Sequence, residues 1–307
     1  MANEIQGSGT LSALEMLLAD VERDRSLWNV DRVRDRIDVL DQFDAYALDS
    51  QPLLNDSGRV GAALFRRAIE LRTQLETVNS HLYDNIRHAI RRRDGRNALM
   101  LWASRIENEA PLHAAMNRHH HSDSYNYMDE VVSGVLRFAA PGEAKIQLTP
   151  EMVAYQPTPI RHIFELIRRT RLIAQDVLID LGSGLGSVPL LVAACTQASA
   201  VGIEIEPSYV DSARQCAREL NLDNASFHAQ DAREADLSSG TVFYLYTPFR
   251  GAVLRTVLDR LRAYAEASTR EIRVCTFGPC TPIIGSQPWL VHDPAESSHI
   301  SVFRSER

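Results

Sequence analysis

Asp176-Val177-Leu178-Ile179-Asp180-Leu181-Gly182-Ser183-Gly184-Leu185-Gly186 joins a short apolar run to a glycine-rich turn, and a further apolar stretch, Val188 to Cys195, follows. An apolar run of this length, bounded by a turn, reads as a strand buried on both faces. The second stretch reads as a helix. Glycines let the backbone turn sharply and approach a ligand closely, so a ligand is expected where the strand ends and the helix begins.

Two details narrow the ligand. A dinucleotide fingerprint wants glycine or alanine at position 187, where Ser187 stands. Asp180 precedes the first glycine, and a carboxylate there repels a pyrophosphate but suits an ammonium and a sulfonium. Further strands follow with polar residues at their ends. Ala200 to Glu204 closes on an acid about 20 residues beyond the loop, where a carboxylate can accept both ribose hydroxyls. Ser226 to Gln230 leads to Asp231, placed to accept from an adenine amino group. Val242 to Tyr246 leads into Thr247-Pro248-Phe249. Pro207 opens a helix between the second and third strands. Each acid alone could be a helix cap or a surface charge, but four strand ends in this order are harder to dismiss.

Upstream the rhythm is different. Leu11–Val21, Val30–Phe43, Val60–Val78, His81–Arg92 and Ala98–Ile106 carry apolar residues at helical spacing. A Ser/Asp cluster at 122–124 is expected to cap a helix with the stripe Met128, Val131, Val132, Val135 and Phe138, ending at Pro141-Gly142. Another helix is expected from Thr158-Pro159, with threonine as its N-cap. The boundary between an all-α half, residues 1–150, and an α/β half, residues 151–307, therefore falls near Leu148 to Pro157. The predicted fold is a Rossmann-like α/β/α domain of three layers with a mostly parallel sheet, preceded by a helical cap.

Composition sets outer limits. The 307 residues are 45% hydrophobic and 24% charged, which is globular, and the formal net charge of −7 argues against a phosphate-backbone binder. The Arg91-Arg92-Arg93 run reads as a solvated face. No signal peptide or membrane-spanning run is evident, and the four cysteines lack metal spacing, so a cytoplasmic protein with reduced thiols and no metal is expected. His119-His120-His121 cannot all face one metal from one helix face.

Over Tyr155 to Phe303 the motifs DLGSGLG, GIE, QDA and YTPF together resemble the class I methyltransferases that use S-adenosylmethionine (SAM). The resemblance implies a cofactor-binding set of Asp180, Gly182, Ser183, Gly184, Gly186, Glu204, Asp231, Ala232 and Tyr246. The loop would contact the methionine portion, Glu204 the ribose and Asp231 the adenine. It also implies a closing antiparallel hairpin, which Trp289–His292 and His299–Phe303 fit.

Enzymes of this class that methylate nucleic-acid amines carry an Asp, Asn or Ser at the head of a Pro-Pro-aromatic box. Here the box reads Tyr246-Thr247-Pro248-Phe249, so a nucleic-acid acceptor is not expected. The expected reaction is SN2 transfer of the SAM methyl group to a small molecule. Tyr155, Tyr246 and Tyr127 are the expected catalytic residues, with Tyr125 and Phe249 as further aromatics near the sulfonium and Tyr244 in the core. The lead-in YQPTP, with DLGSG and a helical half, is also similar to the azetidine-2-carboxylate synthases, which cyclise SAM itself. In that alternative Tyr155 would brace the methionyl chain. The loop and following helix also resemble the non-SET histone lysine methyltransferases, but no basic tail accompanies them. A non-catalytic SAM binder is the third class, disfavoured by the intact loop glycines and Glu204. A homodimer through the helical half is left open.

Overall fold

The structure is a computed structural model. It describes residues 2–49, 58–104, 127–295 and 298–306, which group into two compact units.

The first unit draws on residues 1–85 and 103–134. Helix α1 (Ala2–Arg23) is followed by two 3-10 turns at 25–28 and 30–32, then α2 (Val33–Asp49) and α3 (Gly58–Arg91). The helix predicted from Val30 thus starts at Val33, because Asp24 accepts from Ser26 N and holds the preceding segment in tighter turns. The two helices predicted at 60–78 and 81–92 are one. Asn79, which would compete for backbone bonds, instead accepts from Arg36 Nε at 2.7 Å and leaves the helix uninterrupted. Leu14, Leu18, Phe43, Leu71 and Leu75 form the core of this unit. Arg36 is fully buried beside it and also donates to the carbonyls of Leu27, Asn29 and Val30.

Helix α4 (Tyr127–Leu136) carries the predicted stripe Met128, Val131, Val132 and Val135, all buried. It stops at Leu136 rather than at Pro141-Gly142, because Arg137 takes a left-handed φ of 47° and turns the chain. Its predicted Ser/Asp cap, Tyr125 and the three histidines lie outside the described residues.

The second unit comprises residues 86–102 and 135–307. It takes in stretches that the sequence pattern places in the helical half. Arg87 bridges to Glu219 at 2.9 Å, Arg91 donates to the Glu219 carbonyl, and Arg93 bridges to Asp223 at 3.0 Å. Two members of the arginine run are therefore paired as well as solvated.

The sheet order is β3-β2-β1-β4-β5-β7-β6. Strands β1 (Val177–Leu181), β2 (Ser199–Glu204), β3 (Ala225–Ala229), β4 (Val242–Leu245) and β5 (Arg273–Thr276) run parallel. The predicted hairpin forms as β6 (Leu290–Asp293) against β7 (Ser301–Ser305), and β7 pairs antiparallel with β5.

The flanking helices are α5 (Ile160–Thr170), α6 (Ser187–Cys195), α7 (Pro207–Glu219), α8 (Gly251–Ala267) and the short α9 (Thr281–Gly285). Phe243, Leu245, Val257, Leu261 and Val274 are among its buried apolar residues. Thr158 does not cap α5. Its hydroxyl lies 3.2 Å from Tyr244 Oη in the core, and Pro159 occupies the cap position without a side-chain bond. Among the described residues, no helix is long and apolar enough to cross a membrane.

Candidate active site

Strand β1 delivers Asp180 and the glycine loop to the carboxyl edge of the sheet. The loop is tied to the neighbouring strand, since Gly182 N and Ser183 N both donate to the Ile203 carbonyl, at 2.8 and 3.0 Å. Gly184 has φ +54°, and a Cβ there would fall inside the Tyr155 ring. The glycine at that point is thus required by the tyrosine lying against it. Tyr155 packs on Tyr209 as well, with ring centroids 5.4 Å apart.

Glu204 at the end of β2 is held from two sides. Its Oε2 accepts from Gly184 N at 2.8 Å and its Oε1 from Glu206 N at 3.0 Å. Asp180 is 4% exposed; burial pushes its carboxyl well above the usual carboxylate range, and the negative charge of Glu204 adds to the push. Ser183 Oγ is buried without a hydrogen-bond partner in the protein. Asp231 is not open in the way its strand-end position suggests. Arg233 grips both its oxygens, at 2.6 Å to Oδ2, and this pairing lowers the Asp231 carboxyl despite some burial.

Beyond β4, the Tyr246 ring stacks on Phe277 at 4.8 Å, and burial raises its phenol. Thr247 takes φ 44°, a strained conformation for a β-branched residue, and its hydroxyl spans Phe277 O and Cys280 N. The turn brings Pro248 against Gly182.

These strand ends surround a cavity of about 320 Å³. Of the sequence-predicted residues, Tyr155, Gly182, Glu204, Asp231, Ala232 and Tyr246 line it, and Phe249 does too. Asp180 and Ser183 line a smaller hollow beside it, shared with Tyr155, Gly182, Tyr244 and Tyr246. Gly186 turns the chain into α6 with φ +83°. Tyr244 is core, as expected. Tyr127 belongs to the helical unit, where the Arg34 guanidinium lies 5.5 Å from its ring centroid. The cavity also has walls that sequence patterning missed, namely Ile146, Leu148, Met152 and Ile205. Three of them come from a segment with no helical or strand periodicity to flag it. Among the described residues, no cluster of His, Cys, Asp and Glu could hold a metal ion.

A family model described as a methyltransferase domain matches residues 174–247, which run from the approach to β1 through β4. Among solved structures, an RNA methyltransferase from Salinibacter ruber in complex with S-adenosyl-L-homocysteine is 30% identical, over 49% of this chain and 92% of that one, with a TM-score of 0.38. A precorrin-6y C5,15-methyltransferase from Geobacter metallireducens GS-15 is 16% identical over 56% of this chain and 94% of its own, with a TM-score of 0.40. A SAM-dependent methyltransferase from Aquifex aeolicus is 12% identical over 46% and 88%, with a TM-score of 0.38. No curated protein matches the chain. The matched segment lies on a sheet whose strands bring the glycine loop, Glu204 and Asp231 to one edge, and over residues 174–247 the chain matches a methyltransferase domain on the Rossmann-like fold of the SAM-dependent class I enzymes.

Proposed function

We propose that the protein transfers the methyl group of SAM to a small molecule that carries no phosphate. The observation behind this reading is the charge of the cavity. Its lining includes Glu204, Glu206 and Asp231, and among the described residues no lysine, arginine or histidine. Such a wall favours a cationic cofactor and offers nothing to a nucleic-acid backbone.

The residues present fit the cofactor. Glu204, fixed by two backbone amides, presents its carboxylate for the ribose hydroxyls. Asp231, braced by Arg233, and neighbouring Ala232 serve the adenine. Asp180 would hold the ammonium, and the orphaned Ser183 hydroxyl would gain a partner in the methionine portion. Tyr155 and Tyr246 offer aromatic faces to the sulfonium, worth roughly 0.5–2 kcal/mol each. SAM supplies an activated methyl group, so the protein's task is to align the acceptor and exclude water. Burial raises the Tyr246 phenol above its ordinary value, and its hydroxyl is proposed to orient the acceptor through a hydrogen bond.

A second reading, cyclisation of SAM as the substrate itself, is favoured by one feature. At about 320 Å³ the cavity sits at the small end of ligand sites, leaving little room for an outside acceptor. In that reaction the α-amino nitrogen bonds to the γ-carbon, the carbon–sulfur bond breaks, the amine loses a proton and methylthioadenosine leaves. Mass spectrometry of the pure protein incubated with SAM alone separates the two. Methylthioadenosine with a four-membered cyclic amino acid establishes cyclisation and overturns methyl transfer. Intact SAM, converted to S-adenosylhomocysteine (SAH) only when an acceptor is supplied, supports methyl transfer.

A further inference from the structure

Between α4 and α5 the chain runs through residues 137–159 without a helix, and its one sheet-like contact is a single bridge from Met152 to Phe249. Two glutamates anchor this segment. Glu206, 6% exposed at the start of α7, receives four hydrogen bonds. Its Oε1 accepts from Ser208 N at 3.1 Å and Ser208 Oγ at 2.8 Å. Its Oε2 accepts from Lys145 N at 2.8 Å and Ile146 N at 3.0 Å.

The second anchor lies a few residues on. Glu151 accepts from Ala252 N at 2.7 Å through its side chain and from Arg250 N at 2.8 Å through its carbonyl. Val153 N donates to the Pro248 carbonyl at 3.1 Å. One anchor is therefore at the end of β2 and the other beyond the end of β4, and in the sheet β1 lies between these strands. Ile146, Leu148 and Met152 line the same cavity as Glu204 and Asp231, yet Leu148 is 51% exposed.

We propose that residues 145–153 are a strap closing the cofactor cavity, and that Glu206 is the positioning residue that latches it. This rests on the reading that the cavity takes SAM. Glu206 couples the strap to the ribose side directly, because its own amide donates to Glu204. Only a carboxylate meets four donors at once. In glutamine one oxygen becomes an amino group, which would face donors and free either the strap or the helix start. Burial alone would raise the Glu206 carboxyl, but its hydrogen bonds outweigh that and bring it down to about 2, so the latch stays charged at working pH.

Lys145 is the only lysine in the chain and is exposed on the strap. A lysine-specific endoprotease therefore reports on the strap alone. With the full-length protein, saturating SAH is expected to slow cleavage after Lys145 at least fivefold. Glu206→Gln is expected to speed cleavage without ligand, and to speed SAH dissociation measured by stopped flow, each by roughly tenfold. Its thermal midpoint reads the fold separately. Glu206→Asp keeps a charged N-cap but falls a methylene short of the strap, so it repeats the test should the glutamine variant not fold. Wild-type protein that binds SAH in calorimetry yet is cleaved equally fast with and without it overturns the strap. Unchanged cleavage and dissociation in a folded variant overturn the latch. Failure of wild-type protein to bind SAH would instead overturn the cofactor reading of the cavity.

Discussion

Glu204 owes its orientation to the backbone amides of Gly184 and Glu206 rather than to any side-chain partner. Both of its oxygens are thereby aimed, and Glu204→Ala is expected to weaken SAM by about 1.5–3 kcal/mol, the size of hydrogen bonds to a charged group. Unchanged affinity in calorimetry would sink the ribose role. Asp180 behaves differently. Burial, and then the nearby charge of Glu204, raise its carboxyl. Stability from that raised group is fully present below its unfolded pKa and is lost as pH rises through the folded value. A bound cation favours the ionised form, so SAM affinity rises with pH across the same window and binding releases a proton. Calorimetry in two buffers of different ionisation enthalpy counts that proton, and a count of zero would refute the linkage. For Tyr155→Ala, turnover is expected to fall further than SAM affinity. Intact turnover would leave Tyr155 as packing on the loop.

At the scale of elements, two local structures carry strain or buried charge. The loop after β1 combines a left-handed Gly184 with the ring of Tyr155 against it. Gly184→Ala therefore adds backbone strain of about 1–3 kcal/mol and also pushes the tyrosine away. A lowered thermal midpoint with loss of SAH binding is expected; a variant binding as tightly as wild type would show that the loop tolerates the side chain. In the helical unit Arg36 joins the 3-10 turns to α2 and α3 through Asn79 and three carbonyls. Burial draws its guanidinium down to about 10, which leaves it charged at neutral pH. Arg36→Met is expected to cost about 3–5 kcal/mol in urea unfolding, because the carbonyls lose their donor. A cost under about 1 kcal/mol would mean that the turns rearrange to satisfy them.

For the whole molecule, Glu165 links α5 to the segment before β7. Burial works to raise its carboxyl, but bonds from His162, Ser298 and the backbone of Ile300 bring it down to about 2. The folded value lies below the ordinary value of 4.5, so this stabilisation is present above about 4.5 and is lost as pH falls toward about 2. Urea midpoints of wild type and Glu165→Gln are expected to differ at neutral pH and to converge across that acid window. Parallel curves at all pH values would contradict the assignment.

Short-range chemistry accounts for the part of the fold that the residues announce on their own. The apolar runs of β1 to β4, the glycine loop between β1 and α6, the acids at strand ends and the closing hairpin all follow from periodicity and turn chemistry within a few residues. The cofactor class follows from the resemblance that the motifs at those strand ends bear to the class I SAM-dependent methyltransferases. The continuity of α3 was hidden, because Asn79 looks like a break until Arg36 takes its side chain from 43 positions away. The end of α4 at Arg137 and the role of Thr158 were hidden for similar reasons, each being settled by a partner or turn that no periodicity announces. In the site, Asp180, Glu204 and Tyr246 were legible, whereas Arg233 on Asp231 and Glu206 on the strap were not. Tertiary structure alone decided that residues 86–102 join the sheet unit, where Arg87 and Arg91 meet Glu219 more than a hundred residues on. It also decided that an irregular segment walls the cavity, because its backbone amides find their acceptors on distant carboxylates and carbonyls rather than on near neighbours.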